Sequence, residues 1–118
     1  MTQEDKELLL KDLCARLPYG VKIQVPYEDG SGYFDETVWE VNNDGPFHVN
    51  GWGIEYEYVK PYLFPLSSIT KKTLEELSAY IDIKNAYVAV EFFNSHHIDY
   101  RGLIEKGLAI DATDKNIY

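Results

Sequence analysis

Apolar positions near the start of the chain recur with a helical period. Leu10, Leu13, Cys14 and Leu17 fall at i, i+3, i+4 and i+7 and share one face, which predicts a helix over 3–17. Thr2, three residues before Asp5, is placed as its N-cap, the hydroxyl accepting a free backbone N–H. Pro18 and Gly20 stop the helix. Cys14 lies inside the predicted stripe with nothing basic placed to lower its pKa, so it is expected to be a small buried hydrophobe and not a nucleophile.

At Val21 the period changes to two. Val21, Ile23, Val25 and Tyr27 alternate with Lys22, Gln24, Pro26 and Glu28, the pattern of a strand with one face in the core, and Pro26 suggests a sheet edge. Asp29-Gly30 is a turn signal. Tyr33 to Asn42 reads as a second strand with Thr37, Trp39 and Val41 on one face. Asp44-Gly45-Pro46 breaks the chain again, and Phe47 to Val49 makes a short third strand. Asn50-Gly51 favours a tight hairpin, since both residues tolerate positive φ. Ile54, Tyr56 and Tyr58 then line a fourth strand. A four-stranded antiparallel meander over 21–60, curled into a small SH3-like barrel, is the expected result.

After Val59-Lys60-Pro61 the helical period returns, and the segment 70–107 is predicted to be helical. Thr70 caps a stripe of Leu74, Leu77 and Ile81. Asn85 caps a second element through Ala89, Phe92, Phe93 and His96, although Val88, Val90 and the aromatics suit a strand as well as a helix. Asn94 and Ser95 weaken that element at its end. Asp99 then caps a short helix, Tyr100 to Lys106, and Gly107 follows as its left-handed C′ residue. Counting back from Gly107 pairs Leu103 with Leu108 in the Schellman arrangement. The expected whole is one α+β domain over residues 1–118: a meander braced by an N-terminal helix and two or three C-terminal helices.

Composition narrows the function classes. The 118 residues are 45% hydrophobic, ordinary for a globule with a single core. The acidic, polar start MTQEDKE does not resemble a signal peptide, the apolar runs are far too short for a membrane span, and Cys14 is the only cysteine, so a reducing cytoplasm is expected. The net charge is -9, and residues 18–60 alone carry eight acids against Lys22 and Lys60. Such a balance repels phosphate backbones and anionic lipid, so direct nucleic-acid or membrane binding is not expected.

The stretch FFNSHHIDYRGL, residues 92–103, concentrates the residues that carry chemistry. Adjacent side chains on a helix point about 100° apart, so His96 and His97 do not easily grip one ion, and His96 with Asp99 is one ligand short of a zinc site. A Ser95–His–Asp99 triad lacks a nucleophile-elbow glycine pattern around the serine. A metal-dependent hydrolase using His96, His97 and Asp99 therefore ranks last. The residues read better as helix ends, with Arg101 clamping a carboxylate or a chain end, and His97 and Arg101 keeping some surface role. No catalytic residue, metal or cofactor is assigned.

The segments KDLCARLPYGVK (11–22), YLFPLSSIT (62–70) and HHIDYRGLIEKGLAI (96–110) resemble a family of short proteins from gut Bacteroidales, their phages and other mobile elements. The resemblance spans most of the chain and implies no particular activity. Phe64 stands where a basic residue is expected and Lys71-Lys72 where acids are more usual, so no charge-based site carries over.

Ten of the seventeen aromatics fall in 27–64, more than a four-stranded meander encloses. Trp52, between Gly51 and Gly53 on the expected hairpin tip, would then be exposed beside Phe47 and Tyr58, with Glu55 and Glu57 favouring a basic partner. The leading expectation is a non-enzymatic protein-binding module, with an interface of Phe47, Trp52, Glu55, Glu57, Tyr58, His97 and Arg101. An acidic nucleic-acid mimic that occupies the basic groove of a DNA-binding protein is the alternative.

Overall fold

A computed structural model of the chain describes residues 2–27, 29–38, 40–42, 45–47, 59–68, 75 and 86–118. The first element, α1 (Gln3–Arg16), begins as its sequence predicts: the Thr2 hydroxyl accepts the Asp5 N–H at 3.0 Å. Its buried face differs from the predicted stripe. Leu9, Asp12, Leu13 and Arg16 point inward, Leu10 and Leu17 are half-buried, and Cys14 is exposed. The hydrophobic period misplaced the face because two ionisable residues sit at its centre, where they neutralise one another. Pro18 opens a single 3-10 turn, and Gly20, at φ 69°, closes it through an N–H bond to the Leu17 carbonyl.

The strands are β1 (Lys22–Pro26), β2 (Tyr33–Thr37), β3 (Glu40–Asn42), β4 (Gly45–Phe47), β5 (Lys60–Pro65), β6 (Ile98–Asp99) and β7 (Ile110–Asp111); a second helix, α2, spans Ala86–Ser95. The protein is α+β. Its main sheet is open, mixed and five-stranded, in the order β2-β1-β5-β6, with β7 also paired to β5. β1 pairs antiparallel with β2 and β5, whereas β6 and β7 run parallel to β5. Val21, Ile23 and Val25 are buried as the alternation requires, and the Asp29-Gly30 turn is present, with Gly30 N–H on the Tyr27 carbonyl.

Several expectations are corrected here. β1 is an inner strand; Pro26 is its last residue and pairs only with Tyr33, beyond the reach of β5, so the missing N–H costs the ladder nothing. The strand expected over 33–42 is two strands in different sheets, β3 pairing with β4. Val38, between the two, is the fully buried residue and donates its N–H to the Val21 carbonyl, so the inward face includes Val38 and not the predicted Thr37. Gly45 and Pro46, read as a break, belong to β4. Val59-Lys60-Pro61, read as the end of the β region, instead leads into β5, whose Tyr62 and Leu63 are buried. The expected helix over 100–106 is a run of turns. Asp99 accepts N–H bonds from Leu103 and Ile104, four and five residues on, and not from the groups two and three residues on that an N-cap takes. The predicted C-terminal end survives: Gly107 is at φ 75°, and Leu108 donates to the Leu103 carbonyl at 2.9 Å while Gly107 donates to Ile104. That is the complete Schellman pattern. Of the helix expected from Thr70, Glu75 alone is described, helical and exposed; the Asn50-Gly51 hairpin and the fourth strand lie outside the described residues.

One cluster holds most of the core: Leu9 and Leu13 of α1, the β1 residues, Val38, Val59, Leu63, Leu103, Leu108 and Ala109. A smaller one, Phe92 and Ile98, fills the α2 end. Among the described residues no helix is long and apolar enough to cross a membrane.

Candidate functional site: the 92–103 turn, the Tyr118 seam and the β1–β2 hairpin

The polar residues of 92–103 converge on α1. Arg16, fully buried, donates Nε to Asp12 at 2.9 Å, Nη2 to the Ile98 carbonyl at 2.6 Å and Nη1 to the Phe93 carbonyl at 3.3 Å. Phe93 lies in the last turn of α2, so the guanidinium meets a carbonyl at the negative end of that helix. Arg101 reaches the other Asp12 oxygen at 2.8 Å, so the carboxylate it clamps is Asp12. The ring of Tyr100 carries the Arg101 guanidinium at 4.4 Å and stacks on Phe93 at 5.6 Å. Both Asp99 oxygens are taken by the Leu103 and Ile104 N–H groups. The charged groups of the stretch are thus engaged in fixing three chain segments to one another.

The two histidines part company. His96 is exposed, stacks on Phe92 at 4.2 Å and contacts the Phe92 carbonyl through Nδ1. His97 has φ 55°, in the left-handed region, and is 6% exposed. Its ring lies 3.9 Å from that of Tyr118 at an interplanar angle of 11°. Burial, and then the charges of Arg16 and His96, push its pKa down to about 4, against a raising contribution from the Tyr19 backbone. The imidazole is therefore neutral near pH 7. Asn94 Oδ1, His97 Nδ1 and the Tyr100 hydroxyl are buried and find no hydrogen-bond partner among the described residues. No group of three potential metal ligands occurs among those residues.

Tyr118 completes this region. Its hydroxyl accepts the Lys22 N–H at 2.8 Å and donates to the Tyr62 carbonyl at 2.8 Å. The register that sets Ile23 against Pro61 sets Lys22 against Tyr62, so the phenol is inserted as a rung of the β1–β5 ladder. Burial pushes its pKa up to about 12. Tyr62 is raised to about 12 as well, first by burial and then by its hydrogen bond to Asp35.

Of the interface residues expected from sequence, Trp52, Glu55, Glu57 and Tyr58 lie outside the described residues. Phe47 closes β4 opposite Glu40. His97 and Arg101, expected to keep a surface role, are placed in the interior network. At the end of the β1–β2 hairpin the sequence pattern placed Tyr27 on the core face with Val21, Ile23 and Val25, but it lies past the last paired residue of β1 and is exposed. There Tyr27 is 48% and Tyr33 64% exposed, with the Phe34 ring 5.0 Å from that of Tyr27. Asp29 and Asp35, both exposed, accompany them, and donation from Ser31 holds the Asp29 carboxyl below its usual range. The signal was available: three aromatics around an Asp-Gly turn, more than one face of a hairpin buries.

Comparison with protein-family models, with curated proteins and with solved structures found no match to this chain.

Proposed function

We propose that the chain is a non-enzymatic protein-binding module, a small α+β scaffold of SH3-like form that works in the cytoplasm as an accessory protein of a bacterial mobile element or phage. One observation carries the reading: Tyr27 and Tyr33 both stand exposed at the end of the β1–β2 hairpin, Tyr33 on the face that carries Asp35 and Tyr27 on the face of Phe34, with Asp29 in the turn between them. Aromatic anchors rimmed by carboxylates suit a partner that presents an apolar pocket edged by Lys or Arg. The net charge of -9 steers a basic protein toward this surface and predicts salt-sensitive association. Further support comes from the 92–103 stretch, whose aspartate and arginine groups are occupied in holding the fold.

The test is affinity capture from host lysate, followed by titration of the purified partner. Tyr27→Ser/Tyr33→Ser should lower affinity by about tenfold or more, the usual loss at a hot spot, while thermal unfolding stays unchanged. An unaltered affinity for the double variant removes the hairpin as the contact surface. Affinity that does not respond to salt removes the basic partner.

A further inference from the structure

We propose that the seam between β1 and β5 is a phenol-recognition site, filled in cis by Tyr118 and open by exchange to a tyrosine side chain of another protein. The receptor groups belong to the sheet and to the turn before β6, not to the segment that fills the site. Lys22 supplies a backbone N–H and Tyr62 a backbone carbonyl, both 2.8 Å from the phenol oxygen. His97 supplies a flat, buried ring face at 3.9 Å, and Phe64 a second ring at 6.0 Å. These groups are fixed independently of the occupant. Ile23 and Leu63 are fully buried, and the His97 carbonyl accepts the Phe64 N–H at 2.8 Å.

The occupant is held more lightly. Thr113, Asp114, Lys115 and Asn116 are exposed, and Tyr118 as a whole residue keeps 41% of its surface. Beyond the ring, Lys22 Nζ holds the Ile117 carbonyl at 2.8 Å. Withdrawing this strap uncovers the seam without opening the core.

The chemistry selects a phenol. The atom at the seam must accept from Lys22 and donate to Tyr62 at once, and a hydroxyl does both. A carboxylate only accepts, an indole N–H only donates, and a phenylalanine ring does neither. The ring that carries the hydroxyl must also be flat to lie against His97. A tyrosine in trans competes with the high effective concentration of Tyr118, so replacing Tyr118 should reveal the site.

The experiment titrates p-cresol, with toluene as the control, into the full chain carrying Tyr118→Ala. p-Cresol should raise the melting temperature saturably and shift the His97 ring signals in NMR spectra, with toluene about tenfold weaker, as expected for a ring without the two hydrogen bonds. The native chain should respond to neither. If Tyr118→Ala does not fold by itself, recovery of folded protein on refolding with p-cresol, and not with toluene, is the expected result. Equal effects of the two compounds, no effect of either, or an equal response of the native chain overturn the proposal. A short peptide with one tyrosine should bind the variant more tightly than p-cresol. Binding of p-cresol with the peptide excluded overturns the assignment to protein tyrosine.

Discussion

Asp12 and Arg16, one turn apart on α1 and both without solvent exposure, form a 2.9 Å ion pair at which α1, the end of α2 and β6 are joined. The pair is satisfied on all sides, with Arg101 on the second Asp12 oxygen and two backbone carbonyls on the Arg16 guanidinium. Buried pairs of this kind add little stability against an apolar substitute, but removing one partner strands the other charge.

Asp12→Ala should therefore destabilise the protein by about 3–5 kcal/mol, because Arg16 is left charged in a dry site. Arg16→Lys should also be costly, since one ammonium does not reproduce a planar fork that reaches Asp12, Phe93 and Ile98 together. Urea unfolding monitored by circular dichroism measures both. A loss under ~1 kcal/mol for Asp12→Ala would show the site to be solvated.

His97 makes stability depend on pH. Its pKa is about 4 in the fold against 6.5 in the free side chain, so between these values the unfolded chain binds the extra proton. Its contribution is fully present above pH 6.5 and is lost as pH falls toward 4, to a limit of about 3 kcal/mol. His97→Phe keeps a ring for Tyr118 to stack on and removes the proton site. Comparing denaturant midpoints of the two proteins across that window should show a flatter profile for the variant.

Tyr62 and Tyr118 should titrate late. Both are held near 12, so their phenolate absorbance should appear about two pH units after that of ordinary tyrosines. Because the fold retains the proton, the stability it contributes is present below pH 10 and disappears as pH rises toward 12. Tyr118→Phe should remove one late phenol from the titration. It should also cost about 1–3 kcal/mol at neutral pH, as the Lys22 N–H and the Tyr62 carbonyl lose their shared partner.

Gly107→Ala isolates backbone strain. Gly107 is at φ 75° and an added Cβ meets nothing within 4 Å, so steric contact does not contribute. The expected loss is about 1 kcal/mol from forcing an L-residue into the left-handed region, read as a shift in the thermal midpoint. Gly107→Asn should lose less.

Local chemistry was legible in the sequence and long-range chemistry was not. The Thr2 cap, the Asp29-Gly30 turn and the Leu103–Leu108 closure each depend on residues within a few positions of one another, and each is present. The α1 face was misread because hydrophobic periodicity is blind to Asp12 and Arg16, whose burial depends on Arg101, Phe93 and Ile98 far along the chain. β5 was missed because Pro61 and Pro65 look like punctuation, yet the run Tyr62-Leu63-Phe64 between them is the short apolar stretch of a buried strand. Tyr118 gave no local signal, since its partners lie 96 and 56 positions away. Arg101 was read as a clamp on a carboxylate and is one, on a carboxylate no local pattern could name.

The parallel pairing of β5 with β6 and β7 fixes an order of events during synthesis. Until residue 98 has left the ribosome, the Phe64 N–H has no His97 carbonyl to meet, and until residue 112 follows, the Leu63 carbonyl lacks the Ala112 N–H. The central strand therefore waits, half-dressed, while some 30–50 further residues are made. A nascent chain halted before that point offers a bare apolar edge to whatever binds unfinished proteins.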